Sequence, residues 1–453
     1  MKADAVICGA GIAGLAAAYY LSRHPAFSHV VVVDPRPPLT LTSDKSTECY
    51  RNWWPGPGPE MFQFIERSID LLEALAAESN NRFNMNRRGY LFASADPNGP
   101  EWFINEARAR EALGLTPVRI HDGARGVEFP AYEPVGLTDA LGVDVVIDRS
   151  TLRERYPYLP EHTTSVLHAR RGGWLSAQQL GMLFLDELRA AGGSLIRGSV
   201  CSIETGGGDV AGVWIETDDE DVRIDTPHFI NAAGPMVGEV CALLDCRLPV
   251  HCESHVKIAF ADRLGAVHRE APLLIWTDPV DLGWTHDERN VLKADPHTAH
   301  LTDTFPAGVH GRPEGAGEQV LLYWTYHAEP SDVVFPLEWD PHYPEIVIRG
   351  MSAIAPGLRD YFSDLPRPYV DGGYYTKTEE NRPLIGPLPT RGAFVTGAYS
   401  GFGIMAACAG GELLAAHVTD APLPSYERAF RLERYNDPSY RALLSDWPDS
   451  GQL

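Results

Sequence analysis

The sequence predicts an α/β protein: a parallel sheet fed by discontinuous segments, with an α+β unit on a mixed β-sheet inserted between them. Three observations predict it. An apolar strand, a glycine turn and a helix open the chain; the same strand-and-helix style returns in the middle and at the end; and the material between differs in composition. A contiguous nucleotide domain, as a simple nicotinamide dehydrogenase usually has, would not be split in this way.

The opening unit is the most specific. Ala5-Val-Ile-Cys8 reads as a buried parallel strand, Gly9-x-Gly11-x-x-Gly14 follows it directly, and Ile12 to Leu21 reads as the next helix. A second apolar run, Val30 to Val33, ends in Asp34, twenty residues beyond Gly14. Gly9 permits the tight turn, Gly11 lets a pyrophosphate approach the backbone, and Gly14 lets helix and strand pack closely. The phosphates then sit on the helix N-terminus, and the Asp34 carboxylate is placed for a ribose hydroxyl. The unit is Rossmann-like and predicts dinucleotide binding.

A polar, irregular stretch from Thr40 to Pro59 comes next, then a helix to Glu78 with Phe62, Ile65, Ile69, Leu72 and Leu75 at helical spacing. Short strands over Gly89–Ala93 and Val143–Ile147 flank a charged helix from Glu101 to Leu113. Ser176 caps a helix through Ala191, which Gly192-Gly193 ends before the strand Ser194–Arg197. Val200 to Ile224 is strand-rich, with an acidic hairpin tip at Asp218–Asp221. His228–Asn231 runs into the glycine turn Ala232-Ala233-Gly234-Pro235. Residues 250–365 are rich in Pro, His and Trp, with a strand over Leu321–His327, and Ala393–Val418 is strand, glycine turn and helix. The domain reading is 1–90, 150–248 and 366–453 for the nucleotide domain, with 91–149 and 249–365 for the substrate domain.

With 453 residues the chain has room for two large domains, or for one nucleotide domain with a substantial insertion. Its 44% hydrophobic and 22% charged residues are those of an ordinary soluble protein. A formal charge of −23 repels phosphate backbones and anionic membranes, which argues against nucleic-acid and membrane partners. The apolar stretch Ala5–Tyr20 lacks a basic leader and is accounted for by strand, turn and helix. No run is long enough for a bilayer. Seven scattered cysteines, without a Cys-x-x-Cys pair, predict a reducing, cytoplasmic setting and neither a disulfide framework nor a metal site. Cys8 and Cys408 read as buried packing residues.

These motifs resemble the D-amino-acid oxidase superfamily of FAD enzymes, nearest its sarcosine oxidase and glycine oxidase branch. The resemblance rests on Gly9–Gly14 with Asp34, on Ser46-Thr47 with Arg51, on Asn231-Ala-Ala-Gly234, and on Gly373-Tyr-Tyr-Thr376 through Gly397-Ala-Tyr-Ser-Gly-Phe-Gly403. It implies FAD extended between the two terminal motifs, with a sheet of inserted segments over its reactive face. The implied cofactor residues are Gly9, Gly11, Ile12, Ala13, Gly14, Asp34, Pro35, Ser46, Thr47, Val200, Ala233, Gly234, Gly401, Phe402, Gly403, Ile404 and Met405. Gly373 stands where some members carry the cysteine that binds flavin covalently, and no histidine lies between Asp34 and Arg51, so non-covalent FAD is implied.

The resemblance further implies that an amine or amino acid is oxidised to an imine by hydride transfer, with molecular oxygen reduced to hydrogen peroxide. Lys257 matches the oxygen-activating lysine, and its strand neighbours Val256 and Ile258 face the other way. Arg51 matches the arginine that grips a substrate carboxylate, and Tyr375 is the leading pocket residue. Met405 replaces a lysine of the sarcosine oxidases, which points to a larger or less acidic substrate. Strand alternation puts Tyr323 and His327 on one face and Trp324 and Tyr326 on the other. Trp276, Trp284, Trp53 and Trp54 are further candidates, with a surface loop from Pro55 onward; His255 and His327 are candidates for proton handling. Competing readings are a dehydrogenase of the same fold passing electrons to a quinone or carrier protein, an NADPH-dependent flavin monooxygenase, and a non-catalytic flavoprotein assembly factor.

Overall fold

Val30–Asp34 and Ala5–Cys8 are apolar runs buried on both sides, as central strands under covering layers must be. They pair in parallel within a six-stranded sheet ordered Leu384–Pro387, Ala393–Gly397, Phe229–Asn231, Ala5–Cys8, Val30–Asp34, Ser194–Arg197. Only the Leu384–Pro387 edge is antiparallel. The computed structural model describes residues 1–54, 57–124, 127–131, 133–137, 140–445 and 447. One face of this sheet is covered by the helices Ile12–Ser22, Ala177–Ala190 and Gly403–Val418, with Glu60–Glu78 packed on the last of them. The other face carries an antiparallel three-stranded layer, Ser199–Gly206, Asp209–Glu216 and Val222–Asp225, through Val6, Val31, Val33, Val213 and Ile215. Ala5–Cys8 lies between the next strand in sequence, Val30–Asp34, and the much later Phe229–Asn231. Such a switch point places a crevice at the carboxyl ends of the central strands, where Gly9 and Ala232 to Gly234 lie.

The second sheet has nine strands: Tyr369–Lys377, His251–Ala261, Gln319–Tyr323, His310–Pro313, Leu273–Trp276, Tyr90–Ser94, Ser165–Ala169, Val143–Val146 and Val118–His121. Mixed parallel and antiparallel pairing matches the predicted mixed sheet. Ser165–Ala169 and Tyr369–Lys377 come from segments the sequence reading gave to the nucleotide domain, yet they pair here. Side chains alternate across a strand, so the register sets what faces the first sheet. Glu253, His255 and Lys257 share one side of their strand, while Val256 and Ile258 enter the core behind it.

At the far edge Asp144, fully buried, accepts from Arg119 Nε (2.6 Å), meets His121 Nε2 (2.8 Å) and pairs with Arg170. Burial alone would raise its pKa, but these neighbours outweigh burial and hold the carboxyl well below the usual range.

One predicted element is corrected. The strand expected over Leu321–His327 spans Gln319–Tyr323 and stops there. Trp324 and Tyr326 turn into a cluster with Phe305, and His327 contacts the Tyr326 ring at 4.5 Å, so His327 does not share a strand face with Tyr323. Aromatic packing in the core wins over β-propensity at that point.

Candidate cofactor and substrate site

The first crevice is built by the fingerprint. Gly9 adopts φ +112°, and a Cβ there would lie 2.3 Å from the Ala232 oxygen; at Gly14 a Cβ would come within 2.0 Å of the Gly9 oxygen. Both must be glycine for strand, turn and helix to meet. Gly11 differs: a Cβ would meet only Ser43 Oγ, at 3.2 Å, which leaves an open cradle at the start of the helix. Gly11, at the N-cap, has no side chain with which to cap the helix, and Ile12 N–H donates to Ser43 Oγ (2.9 Å). Asp34 accepts from Ala10 N–H and Arg36 N–H, each at 2.8 Å, which fixes the turn while leaving lone pairs on both oxygens. Gly234 (φ +57°) has open space about its Cα. Ile12 is buried in the core, Ala13 packs against it, and Pro35 is exposed beside Asp34. Val200 sits in the three-stranded layer, packed on the cluster that holds Val33.

The final turn is wound tightly. Ala398 (φ 55°), Ser400 (φ 46°) and Gly401 (φ 85°) all take the left-handed region before the helix Gly403–Val418. That is strained for a non-glycine residue, and such strain persists where the surroundings enforce it. A Cβ on Gly401 would strike the Tyr375 ring at 2.3 Å. Ser400 Oγ is buried with no hydrogen-bond partner among the described residues. Ile404 is buried in the core, while Phe402 and Met405 reach the cavity described next.

A cavity of about 570 Å³ lies between this turn and the nine-stranded sheet. Its walls include Ser46, Thr47, Cys49, Arg51, Trp53, Trp54, Glu253, His255, His310, Tyr323, Tyr375 and Lys377. Arg51 is 7% exposed, with its guanidinium 5.2 Å from the Tyr90 ring centre and 5.5 Å from that of Trp54. Glu48 does not hold it; Glu48 accepts from Ala177 N–H (3.2 Å) and approaches Arg312 (3.9 Å). Trp276 also lines the cavity, whereas Trp284 lies 3.6 Å under the Arg349 guanidinium and away from it. Pro55 and Gly56 of the expected surface loop lie outside the described residues.

Three strands bring together a polar chain that the sequence reading did not assemble. Lys377 Nζ donates to Glu253 Oε2 (3.0 Å), His255 Nε2 lies 3.2 Å from the same oxygen, and His255 Nδ1 lies 2.6 Å from the Tyr323 hydroxyl. Beside a carboxylate, Nε2 carries the ring proton, which leaves Nδ1 to accept from Tyr323. Thr325 Oγ1 is 3.0 Å from Nδ1, and the Tyr375 ring stacks on the imidazole at 4.0 Å. Burial pushes Glu253 up, but hydrogen bonds from His255 and Lys377 hold it down at about 2. Burial pushes His255 below its ordinary value and His310 down to about 4, and raises the Tyr323 phenol. The signal was present as Glu253-x-His255-x-Lys257, three polar residues on one face of a strand, but Tyr323 and Lys377 join it only through pairing.

Lys257 is anchored to a neighbouring loop. It is 9% exposed, and its ammonium donates to the carbonyls of Asp44 (2.7 Å) and Ser46 (2.9 Å) rather than lining the cavity. Burial lowers its pKa. Arg312, fully buried, holds the next carbonyl, Thr47 O, at 2.8 Å.

The molecule thus offers a backbone crevice at a sheet switch point and a side-chain cavity under a second sheet. The chain belongs to the DAO family of FAD dependent oxidoreductases, whose family model matches residues 4–417. Among solved structures it is similar to L-proline dehydrogenase from P. horikoshii (17% identity over 96% of this chain and 98% of that one, TM-score 0.73). It is also similar to glycine oxidase from Geobacillus kaustophilus (16%, 96% and 99%, TM-score 0.69). A third is iminodiacetate oxidase from Chelativorans sp. BNC1 (17%, 94% and 98%, TM-score 0.69). At these identities they share the fold. No curated protein matches the chain by sequence. Among the described residues no group of His, Cys, Asp or Glu gathers as for a metal, and no helix is long and apolar enough to cross a membrane.

The residues present fit FAD. The open cradle at Gly11 suits a pyrophosphate at a helix start, and the unpartnered Ser400 hydroxyl stands in the turn expected at the flavin's pyrimidine end.

Proposed function

We propose that this protein is an FAD-dependent amine or amino-acid oxidase that converts a C–N bond to an imine and releases hydrogen peroxide. The observation that carries the proposal is the Glu253–His255–Tyr323 chain on the wall of a cavity that also holds Arg51. Bound FAD supplies a two-electron acceptor for the hydride that leaves the substrate carbon. Arg51 holds the substrate carboxylate through its planar fork. An amine yields hydride only once its nitrogen is neutral. Tyr323 takes the ammonium proton as its own proton passes to His255 Nδ1, and Glu253 stabilises the resulting imidazolium. The nitrogen lone pair then forms the C=N bond as the hydride departs.

The cofactor is held non-covalently in this proposal: Gly373 packs on Thr42, and Cys49 donates its thiol to Thr47 O (3.2 Å). Acid precipitation then releases all the yellow colour into the supernatant; colour retained in the pellet contradicts it. Lys257 is the proposed cation for oxygen reduction. A second reading, electron transfer to a quinone or carrier protein, is favoured by the capture of that ammonium on two loop carbonyls. Peroxide measured in air across a panel of amines and amino acids tests the proposal. Peroxide equimolar with imine-derived product supports the oxidase, and turnover only with an artificial electron acceptor supports the dehydrogenase.

A further inference from the structure

The cavity is far longer than the polar chain that occupies one end of it. It touches Tyr375 on the first strand of the nine-stranded sheet and Leu167 on the seventh. Six strand spacings separate these residues, roughly 29 Å along the sheet at about 4.8 Å per step. Beyond Arg51 and Tyr90 the sheet supplies Phe92, Ile275 and Leu167, which are cross-strand neighbours. The helix Gly99–Glu111 closes this far part with one face, Phe103, Glu106 and Arg110. Arg110 is 5% exposed, its guanidinium lies 4.4 Å from the Trp53 ring centre, and its Nη1 pairs with Glu106 Oε2 (2.7 Å). Its Nε is buried without a hydrogen-bond partner among the described residues. An apolar annex ending in a buried donor is therefore attached to the site.

We propose that the annex receives the side chain of the substrate, and that the substrate is an aromatic amino acid, best of all one with an acceptor oxygen at the far edge of its ring. Flat rings satisfy walls of Phe92, Phe103 and Trp53, and a phenol oxygen satisfies Arg110 Nε. Glycine or proline would leave the annex empty. The inference rests on the oxidase reading for the chemistry at the other end, but not for the binding of a ring.

The test separates the two. Holoenzyme is titrated with acids that lack an amine and so cannot be oxidised: acetate, phenylacetate and 4-hydroxyphenylacetate, followed by tryptophan fluorescence and the visible flavin spectrum. Phenylacetate binds roughly 100-fold tighter than acetate, the gain of burying one ring, and the hydroxyl adds roughly tenfold. In Arg110→Met the difference between the two aromatic acids disappears. Should that variant not fold, the wild-type series decides alone. Acetate and phenylacetate binding alike overturns the annex, even if glycine or proline reduces the flavin. Tight aromatic binding with no amino acid reducing the flavin retains the annex and overturns the oxidase.

Discussion

Tyr323 is where single-atom chemistry can be checked. Its hydroxyl is 2.6 Å from His255 Nδ1, and Tyr323→Phe removes that oxygen while keeping the ring in its packing. Flavin reduction by a good substrate should slow roughly 100-fold, the usual scale of losing a positioned proton acceptor. The charged groups on the His255 side of the sheet are Glu253, Lys377 and Lys257. The uncharged titratable ones are Tyr323, Tyr375 and His310, and burial holds His255 neutral below its ordinary pKa. The reduction rate should therefore stay flat as pH falls through 6.5 and drop only at lower pH; a drop centred on 6.5 would contradict the relay. Gly11→Ala is the matching test at the cofactor. Its Cβ meets only Ser43 Oγ, so the protein folds, but FAD is lost roughly tenfold more readily in a dialysis titration because the methyl fills the cradle.

At the scale of elements, the edge strands Val118–His121, Val143–Val146 and Ser165–Ala169 hold the annex in place through Asp144. Asp144→Asn leaves Arg170 and Arg119 without their counter-charge and should cost about 3 kcal/mol in a urea titration. This edge was only half legible in the sequence. Val143–Ile147 announced itself by β-branched residues, whereas Val118–His121 has only two apolar residues among its four. The helix Arg149–Arg155 has a start legible in the sequence: Asp148 accepts from Thr151 N–H at 2.8 Å, an ordinary N-cap. The pair Cys49–Arg51 and Gly172–Trp174 arises inside polar or glycine-rich stretches, where long-range pairing alone makes a strand. In contrast, Ala5–Cys8 and the Ser176-capped helix stand as read, because local pattern and tertiary need agree there.

Across the whole molecule the readable part was the nucleotide sheet and its family, and the hidden part was what the two sheets enclose. Arg51 and Tyr375 line the cavity, while Arg110, Glu253 and Lys377 enter it from elements distant in sequence. Burial of histidine also sets a global property. The unfolded chain protonates His310 near its ordinary 6.5, whereas the folded protein keeps it neutral down to about 4. Between these values the unfolded state binds more protons, so stability falls as pH drops from 6.5 to about 4. His310 alone contributes on the order of 3 kcal/mol to that loss, and His255 adds to it in the same direction. Urea midpoints at pH 7.5, 6 and 5 should decline steadily; a midpoint that is level or rising over that range would contradict the assignment.

The oxidase proposal is tested most directly by mixing the yellow protein with aromatic amino acids in the absence of oxygen and then admitting air. The visible flavin band should bleach on mixing and return in air with one peroxide released per flavin. A flavin that stays oxidised throughout a broad amine panel, or one that bleaches and remains reduced in air, would contradict it.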